Sequence, residues 1–222
     1  MGCGAKRGAP GRSCYIVPMF CLRVPTGPEW ARAAVADLDA VLVDHAHCEM
    51  KAASNAMSLV VRHPGDMALV RELAELAREE MDHFVRVVAI LAERGLALGP
   101  PPVDTYAAEL RRRVAEVSRG SSLPAVVDRL LVGALIEARS CERFKLLLAA
   151  LPADAPAEMR ALYTELFAAE ARHYRAYVEL AVRVAGEERR PDVEARLEVV
   201  AEQEGKVVEA LARAEVRATI HG

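Results

Sequence analysis

The chain has 222 residues, 53% of them hydrophobic and 27% charged, with a formal net charge of −3 and five cysteines. That length fills one domain with a full core and the balance is that of a globular chain, which excludes a disordered polyelectrolyte, while the small negative charge excludes a uniformly basic nucleic-acid wrapper but leaves room for a local basic patch. No run of eighteen uncharged apolar residues is present to span a membrane, and the odd cysteine count without a CxxC spacing reads as reduced thiols rather than a disulfide frame or zinc knuckle.

Residues 1–28 form an N-terminal arm in which Lys6, Arg7 and Arg12 precede a short apolar stretch at 14–22. Pro18 and Arg23 interrupt that stretch and no clean small-residue cleavage site follows, so the expectation is a cytoplasmic chain without a membrane association. Helix signals run from about 29 to 62 and stop at His63-Pro64-Gly65. Asp66 caps a second helix that ends at Gly95. A connection through Gly99-Pro100-Pro101-Pro102 leads to Asp104, which opens a shorter helix to about 118. Arg119-Gly120-Ser121-Ser122 breaks it, and a long helix covers about 123–150. Pro152 and Pro156 bracket the next loop, a further helix covers about 157–185, and a last one about 192–218 lies beyond Gly186 and Pro191. An Ala-, Leu- and Val-rich composition with only 5% aromatics favours helices over strands. The fold class expected is all-α: two long helical hairpins joined by a crossover that carries its own helix, with an added C-terminal helix. The expected division is an arm at 1–28, a bundle domain at 29–186 and a C-terminal helix at 187–222.

The informative residues are acids and imidazoles inside apolar helical stripes. Leu38, Leu42, His45, Glu49 and Ala53 share one stripe. Leu73, Leu76, Glu80, His83 and Val87 share a second. Leu130, Ala134, Glu137, Cys141 and Phe144 form a third, and Leu162, Leu166, Glu170, His173 and Tyr177 a fourth. Glu80–His83 and Glu170–His173 stand at i, i+3, so each pair points from one side of its helix. Glu137 follows Glu49 by 88 residues and Glu170 follows Glu80 by 90, so each half of the chain reads Glu, helical return, Glu-x-x-His.

Four carboxylates crowded into an apolar core would repel one another and take up protons. Two divalent cations neutralise them, with one neutral His completing each ion's protein ligands. Carboxylate oxygen with imidazole and no thiolate suits iron or manganese rather than structural zinc. This is the bundle-core pattern of one Glu from each of two helices and Glu-x-x-His from the other two. Glu142 is the rival to Glu137, but at five residues' distance it sits about 140° round the helix and faces elsewhere, toward an Arg. His45, one turn before Glu49, is a candidate to support a ligand carboxylate. Asp82 and Arg172, at equivalent places in the two Glu-x-x-His motifs, are candidates to orient the imidazoles.

The segments Asp44-His-Ala-His-Cys-Glu-Met-Lys-Ala-Ala53, Ala77-Arg-Glu-Glu-Met-Asp-His-Phe84, Leu131-Val-Gly-Ala-Leu-Ile-Glu-Ala-Arg-Ser-Cys-Glu-Arg-Phe144 and Glu170-Ala-Arg-His173 resemble the MiaE-type tRNA hydroxylases over roughly 28–186. The resemblance implies a ferritin-like four-helix bundle and a non-haem di-iron centre held by Glu49, Glu80, His83, Glu137, Glu170 and His173. It further implies dioxygen as co-substrate, an electron-donating reductase, and hydroxylation of the isopentenyl group of 2-methylthio-isopentenyl-adenosine in tRNA. The competing reading is a ferritin-like iron-binding or peroxide-scavenging protein with the same ligands and no nucleic-acid partner. A tRNA partner needs cationic surface; Arg111, Arg112, Arg113 and Arg119 near the crossover, and the basic arm, are the candidates.

Overall fold

The computed structural model describes residues 20–214; Lys6, Arg7 and Arg12 of the arm and residues 215–218 of the expected last helix lie outside them. The described residues form seven α-helices and no strand: α1 (Pro28–Ala36), α2 (Leu38–Arg62), α3 (Met67–Glu93), α4 (Thr105–Val117), α5 (Ala125–Ala150), α6 (Ala157–Ala185) and α7 (Arg190–Ala214), with a 3-10 turn at Glu187–Arg189. α2 with α3 and α5 with α6 make the two long hairpins.

The single helix expected over 29–62 is two. Asp37 leaves helical geometry at φ −141° and ψ 70°, and its carboxylate accepts from Ala40 N at 3.0 Å, starting α2 afresh. No Gly or Pro marks this break; an Asp able to cap is its only local signal. Asp66 and Asp104 cap α3 and α4 in the same way, accepting from Leu69 N and Ala107 N at 2.9 Å each. α3 ends one residue before Arg94 and Gly95, and the φ of +69° at Gly95 suits a residue without Cβ. α7 begins two residues earlier than expected, because Pro191 occupies the first turn, where its missing N–H costs nothing.

The crossover lies along α2. His47 Nε2 donates to Leu98 O at 3.1 Å, and Lys51 Nζ donates to Pro102 O at 3.2 Å. α4 and α7 pack on each other and on α5, and α7 also touches α6.

The core is divided into two apolar clusters. One gathers Trp30, Leu42, Val87, Leu91, Phe144, Leu147, Leu162 and Leu166. The other gathers Ala56, Leu59, Leu73, Leu110, Leu130, Ala134, Tyr177, Val193 and Val200. On each of the four long helices the chain leaves one cluster and enters the other where the Glu or Glu-x-x-His residues stand. α5 and α6 approach closely at that level: a Cβ on Gly133 would meet Tyr177 Cε1 at 3.0 Å.

Candidate metal centre

Glu49, Glu80, His83, Glu137, Glu170 and His173 are all buried, none above 8% exposed. They converge from α2, α3, α5 and α6 on the seam between the two apolar clusters. Their donor atoms fall into two overlapping groups of four. In one, atoms of Glu49, Glu80, His83 and Glu170 all lie within 4.8 Å of one another; in the other, those of Glu80, Glu137, Glu170 and His173 do so. Glu80 and Glu170 belong to both. A carboxylate has two oxygens, so Glu80 and Glu170 could serve both of two cations, with Glu49 and His83 available to one and Glu137 and His173 to the other.

The imidazole of His173 provides a test of fit. Its Nε2 donates to Glu79 Oε2 at 2.8 Å, which fixes the proton there and leaves Nδ1 with its lone pair toward the cage. Nδ1 is buried, lies 2.8 Å from Glu80 Oε1, and yet has no partner in hydrogen-bond alignment. In the neutral ring this nitrogen is a buried acceptor that is costly to leave unsatisfied; it takes up either a proton facing Glu80 or a cation among these carboxylates. His83 Nδ1 faces the same cage, 3.3 Å from Glu80 Oε2 and 3.6 Å from Glu49 Oε2.

The metal-free cage carries protons where cations would sit. Burial and the neighbouring Glu49 charge push Glu80 up to about 7. Burial and Glu137 push Glu170 well above the carboxylate range. Burial alone would lower both imidazoles, but Glu49 and Glu80 raise His83 to about 10, and Glu80 and Glu137 raise His173 to about 9. Glu49 goes the other way: burial would raise it, but hydrogen bonds from His45 and His83 outweigh that and hold it well below its ordinary value. A donor set that gathers protons for want of cations fits a pair of divalent ions.

His45 is fully buried and donates from Nε2 to Glu49 Oε1 at 2.6 Å, its ring lying against Phe144 and Tyr163. Asp82 is exposed and pairs with Arg78 at 2.6 Å, away from either imidazole. Arg172 is exposed too, and reaches Glu79 at 3.5 Å. The residue that sequence reasoning missed is therefore Glu79, next to Glu80 in the chain. Its side chain turns from α3 toward α6, a relation between two helices that spacing within one does not reveal.

Glu142 faces away from the cage. It accepts from Thr26 N at 3.1 Å and Thr26 Oγ1 at 2.6 Å, and pairs with Arg139. Arg139, fully buried, also holds Glu204 of α7 through Nη2 at 2.7 and 2.9 Å and donates to Val24 O at 2.9 Å. Tyr106 of α4 donates to Glu204 at 3.0 Å. This network ties the N-terminal segment, α4 and α7 to the helix that carries Glu137. Of the basic candidates, Arg112 pairs with Glu109 and Glu116 and Arg113 with Glu109. Arg111 and Arg119 are exposed without ion pairs among the described residues. No helix of the described residues is long and apolar enough to cross a membrane.

Comparison with known proteins agrees with this geometry. The family described as tRNA-(MS[2]IO[6]A)-hydroxylase (MiaE) matches residues 16–219. A Pseudomonas putida protein named tRNA 2-(methylsulfanyl)-N(6)-isopentenyladenosine(37) hydroxylase is 42% identical over 160 residues, covering 72% of this chain and 74% of its own. A Salmonella typhimurium protein of the same name is 26% identical over 84% of this chain and 83% of its own. Among solved structures, Protein 43 with aldehyde deformylating oxygenase activity from Synechococcus superposes with a TM-score of 0.78 at 38% identity, covering 92% of this chain and 96% of that one. The likeness expected over 28–186 thus reaches further at both ends. Glu204 of α7 and Thr26 of the N-terminal segment bracing Arg139 and Glu142 give a physical reason for the added span. The chain belongs to the MiaE family of ferritin-like proteins.

Proposed function

We propose that the chain is a non-haem di-iron monooxygenase that hydroxylates the isopentenyl group of 2-methylthio-isopentenyl-adenosine in tRNA. What carries this reading is the coincidence of the six-residue buried cage with relatives that bear the hydroxylase name over most of the chain. Glu49, Glu80, His83, Glu137, Glu170 and His173 would hold two iron ions, and the ions, when bound, supply the activation of dioxygen that attack on an unactivated C–H bond requires.

The chain's own residues do the rest. Glu79 keeps the His173 proton on Nε2, so that Nδ1 presents a lone pair. His45 fixes one oxygen of Glu49 through its Nε2–H. The two apolar clusters on either side of the seam keep bulk water from the cage. Insertion of one oxygen atom from dioxygen leaves the other to be reduced to water, which takes two electrons and two protons, and an electron-donating reductase is the partner proposed to supply the electrons. A tRNA substrate makes the cytoplasm the setting proposed. The alternative of an iron-binding or peroxide-scavenging protein is not favoured, because the named relatives are tRNA hydroxylases.

The test compares the modified nucleosides of tRNA from cells with and without the gene. Loss of the hydroxylated nucleoside and accumulation of its unhydroxylated precursor are expected. An unchanged nucleoside profile overturns the proposal.

A further inference from the structure

Three exposed arginines from three helices stand together at one end of the bundle without counter-charge. Arg62 closes α2, Arg111 lies in α4 and Arg129 in the second turn of α5. The apolar residues beside them, Leu59, Leu110, Val126 and Leu130, belong to the core cluster on one side of the cage. None of the three forms an ion pair or hydrogen bond with another described residue. The carboxylates on these elements are engaged elsewhere. Glu109 and Glu116 hold Arg112 and Arg113, Asp128 holds Arg196 at 2.6 Å, and Asp66 caps α3. Partial burial together with the charges of Arg62 and Arg111 draws the Arg129 guanidinium below its ordinary value, so the three cations feel one another. Arg78, Arg86, Arg94 and Arg190 show the contrasting case of surface arginines held by acids. A cluster left unpaired is a place where an external polyanion is favoured.

We propose that Arg62, Arg111 and Arg129, with Arg119 in the turn after α4, form the surface that seats the phosphodiester backbone of the RNA substrate. The proposal rests on the reading of the chain as a tRNA-modifying enzyme and assigns the face that meets tRNA. Of the basic residues that sequence suggests, it keeps Arg111 and Arg119, sets aside the neutralised Arg112 and Arg113, and adds Arg62 and Arg129. The spacing suits the task. Arg129 stands eight residues before Glu137 on α5, and Arg62 thirteen after Glu49 on α2, which at 1.5 Å per residue is about 12 and 20 Å from the cage along the helices. At about 3.4 Å of strand per nucleotide, that range corresponds to roughly four to six nucleotides from the reacting base. The guanidinium groups therefore hold the flanking strand while the base goes to the metal centre.

The experiment measures binding of the full, iron-loaded chain to fluorescently labelled tRNA over a series of salt concentrations. The proteins are wild type, the triple variant Arg62→Ala/Arg111→Ala/Arg129→Ala, the triple Lys variant at the same positions, and Arg112→Ala. The Ala triple is expected to lose about tenfold or more in affinity and to flatten the salt slope by about 2–3, roughly one for each phosphate that is no longer neutralised. The Lys triple is expected to retain most of both, and Arg112→Ala to match wild type. Iron content and melting temperature are expected to stay at wild-type values in all four. A wild-type chain that binds no tRNA overturns the functional reading and this surface with it. A wild type that binds, alongside an Ala triple of equal affinity and equal salt slope, overturns the surface alone. So does an Arg112→Ala chain as weakened as the triple.

Discussion

Glu137 and Glu142 lie five residues apart on α5, are both buried, and are predicted to fail in opposite ways. Glu142 accepts from Thr26 N and Thr26 Oγ1 and pairs with Arg139. Glu142→Ala leaves the Thr26 N–H without its acceptor and halves the anionic support of a fully buried guanidinium, although Glu204 remains. Charge-assisted hydrogen bonds contribute about 1.5–3 kcal/mol each, and breaking a buried ion pair by removing one partner costs about 3–5 kcal/mol, so a loss of about 3–5 kcal/mol is expected. For a chain of this size about 2–4 °C of melting temperature go with each kcal/mol, which gives a fall of roughly 6–20 °C. Iron content is expected to stay at the wild-type value. Glu137→Ala removes one of four mutually repelling carboxylates, so the metal-free form is expected to melt at or above wild type. Its added stability with ferrous ion, about 2.7 kcal/mol at a hundredfold excess over the dissociation constant in wild type, is expected to disappear. The assay is thermal unfolding of both variants, metal-free and iron-loaded, with iron quantified per chain. A Glu137→Ala chain that still holds a full complement of iron, or a Glu142→Ala chain that melts like wild type but holds none, would refute the assignment.

Three further outcomes follow from the same geometry. Glu79→Ala removes the acceptor at His173 Nε2 and is expected to weaken metal binding about 10–100-fold in a titration, while exposed Asp82→Ala leaves it unchanged; equal effects would contradict the orienting role of Glu79. In the metal-free chain Glu80 is raised from 4.5 to about 7, and His83 and His173 from 6.5 to about 10 and 9, so the folded form binds more protons than the unfolded between those values. Its stability is therefore expected to fall as pH rises from about 5 to 9, with metal affinity rising over the same range as binding expels protons; calorimetry in buffers of differing ionisation enthalpy reads the release, and a heat independent of buffer would contradict it. Gly133→Ala places a Cβ 3.0 Å from the Tyr177 ring and is expected to cost about 1–3 kcal/mol, less in a Tyr177→Leu background; additive losses would mean that the two positions do not touch.

Much of this centre is legible in the sequence because a buried carboxylate is chemically conspicuous. Glu49, Glu80, Glu137 and Glu170 interrupt apolar stripes, and the Glu-x-x-His spacing places each imidazole beside its glutamate. The displacement of Glu142 from the cage is likewise visible in helical angle. What escapes is whatever depends on a second element. The break at Asp37 carries no Gly or Pro. Glu79 reads as one more surface acid until α6 is set beside α3. Arg62 and Arg129 are 67 residues apart in the chain and ordinary in their own helices; only the bundle's end joins them to Arg111. Conversely Arg112 and Arg113, the centre of the most basic run in the chain, are neutralised by acids one helical turn away.

The most direct test is the iron stoichiometry and magnetic coupling of the purified chain after anaerobic loading with ferrous ion. Two irons per folded chain, giving an exchange-coupled pair by Mössbauer spectroscopy and lost together in Glu80→Ala or Glu170→Ala, are the expected result, because those glutamates belong to both donor groups. A folded chain that takes up one iron, none, or two that do not couple would contradict a bridged pair at the seam of the bundle.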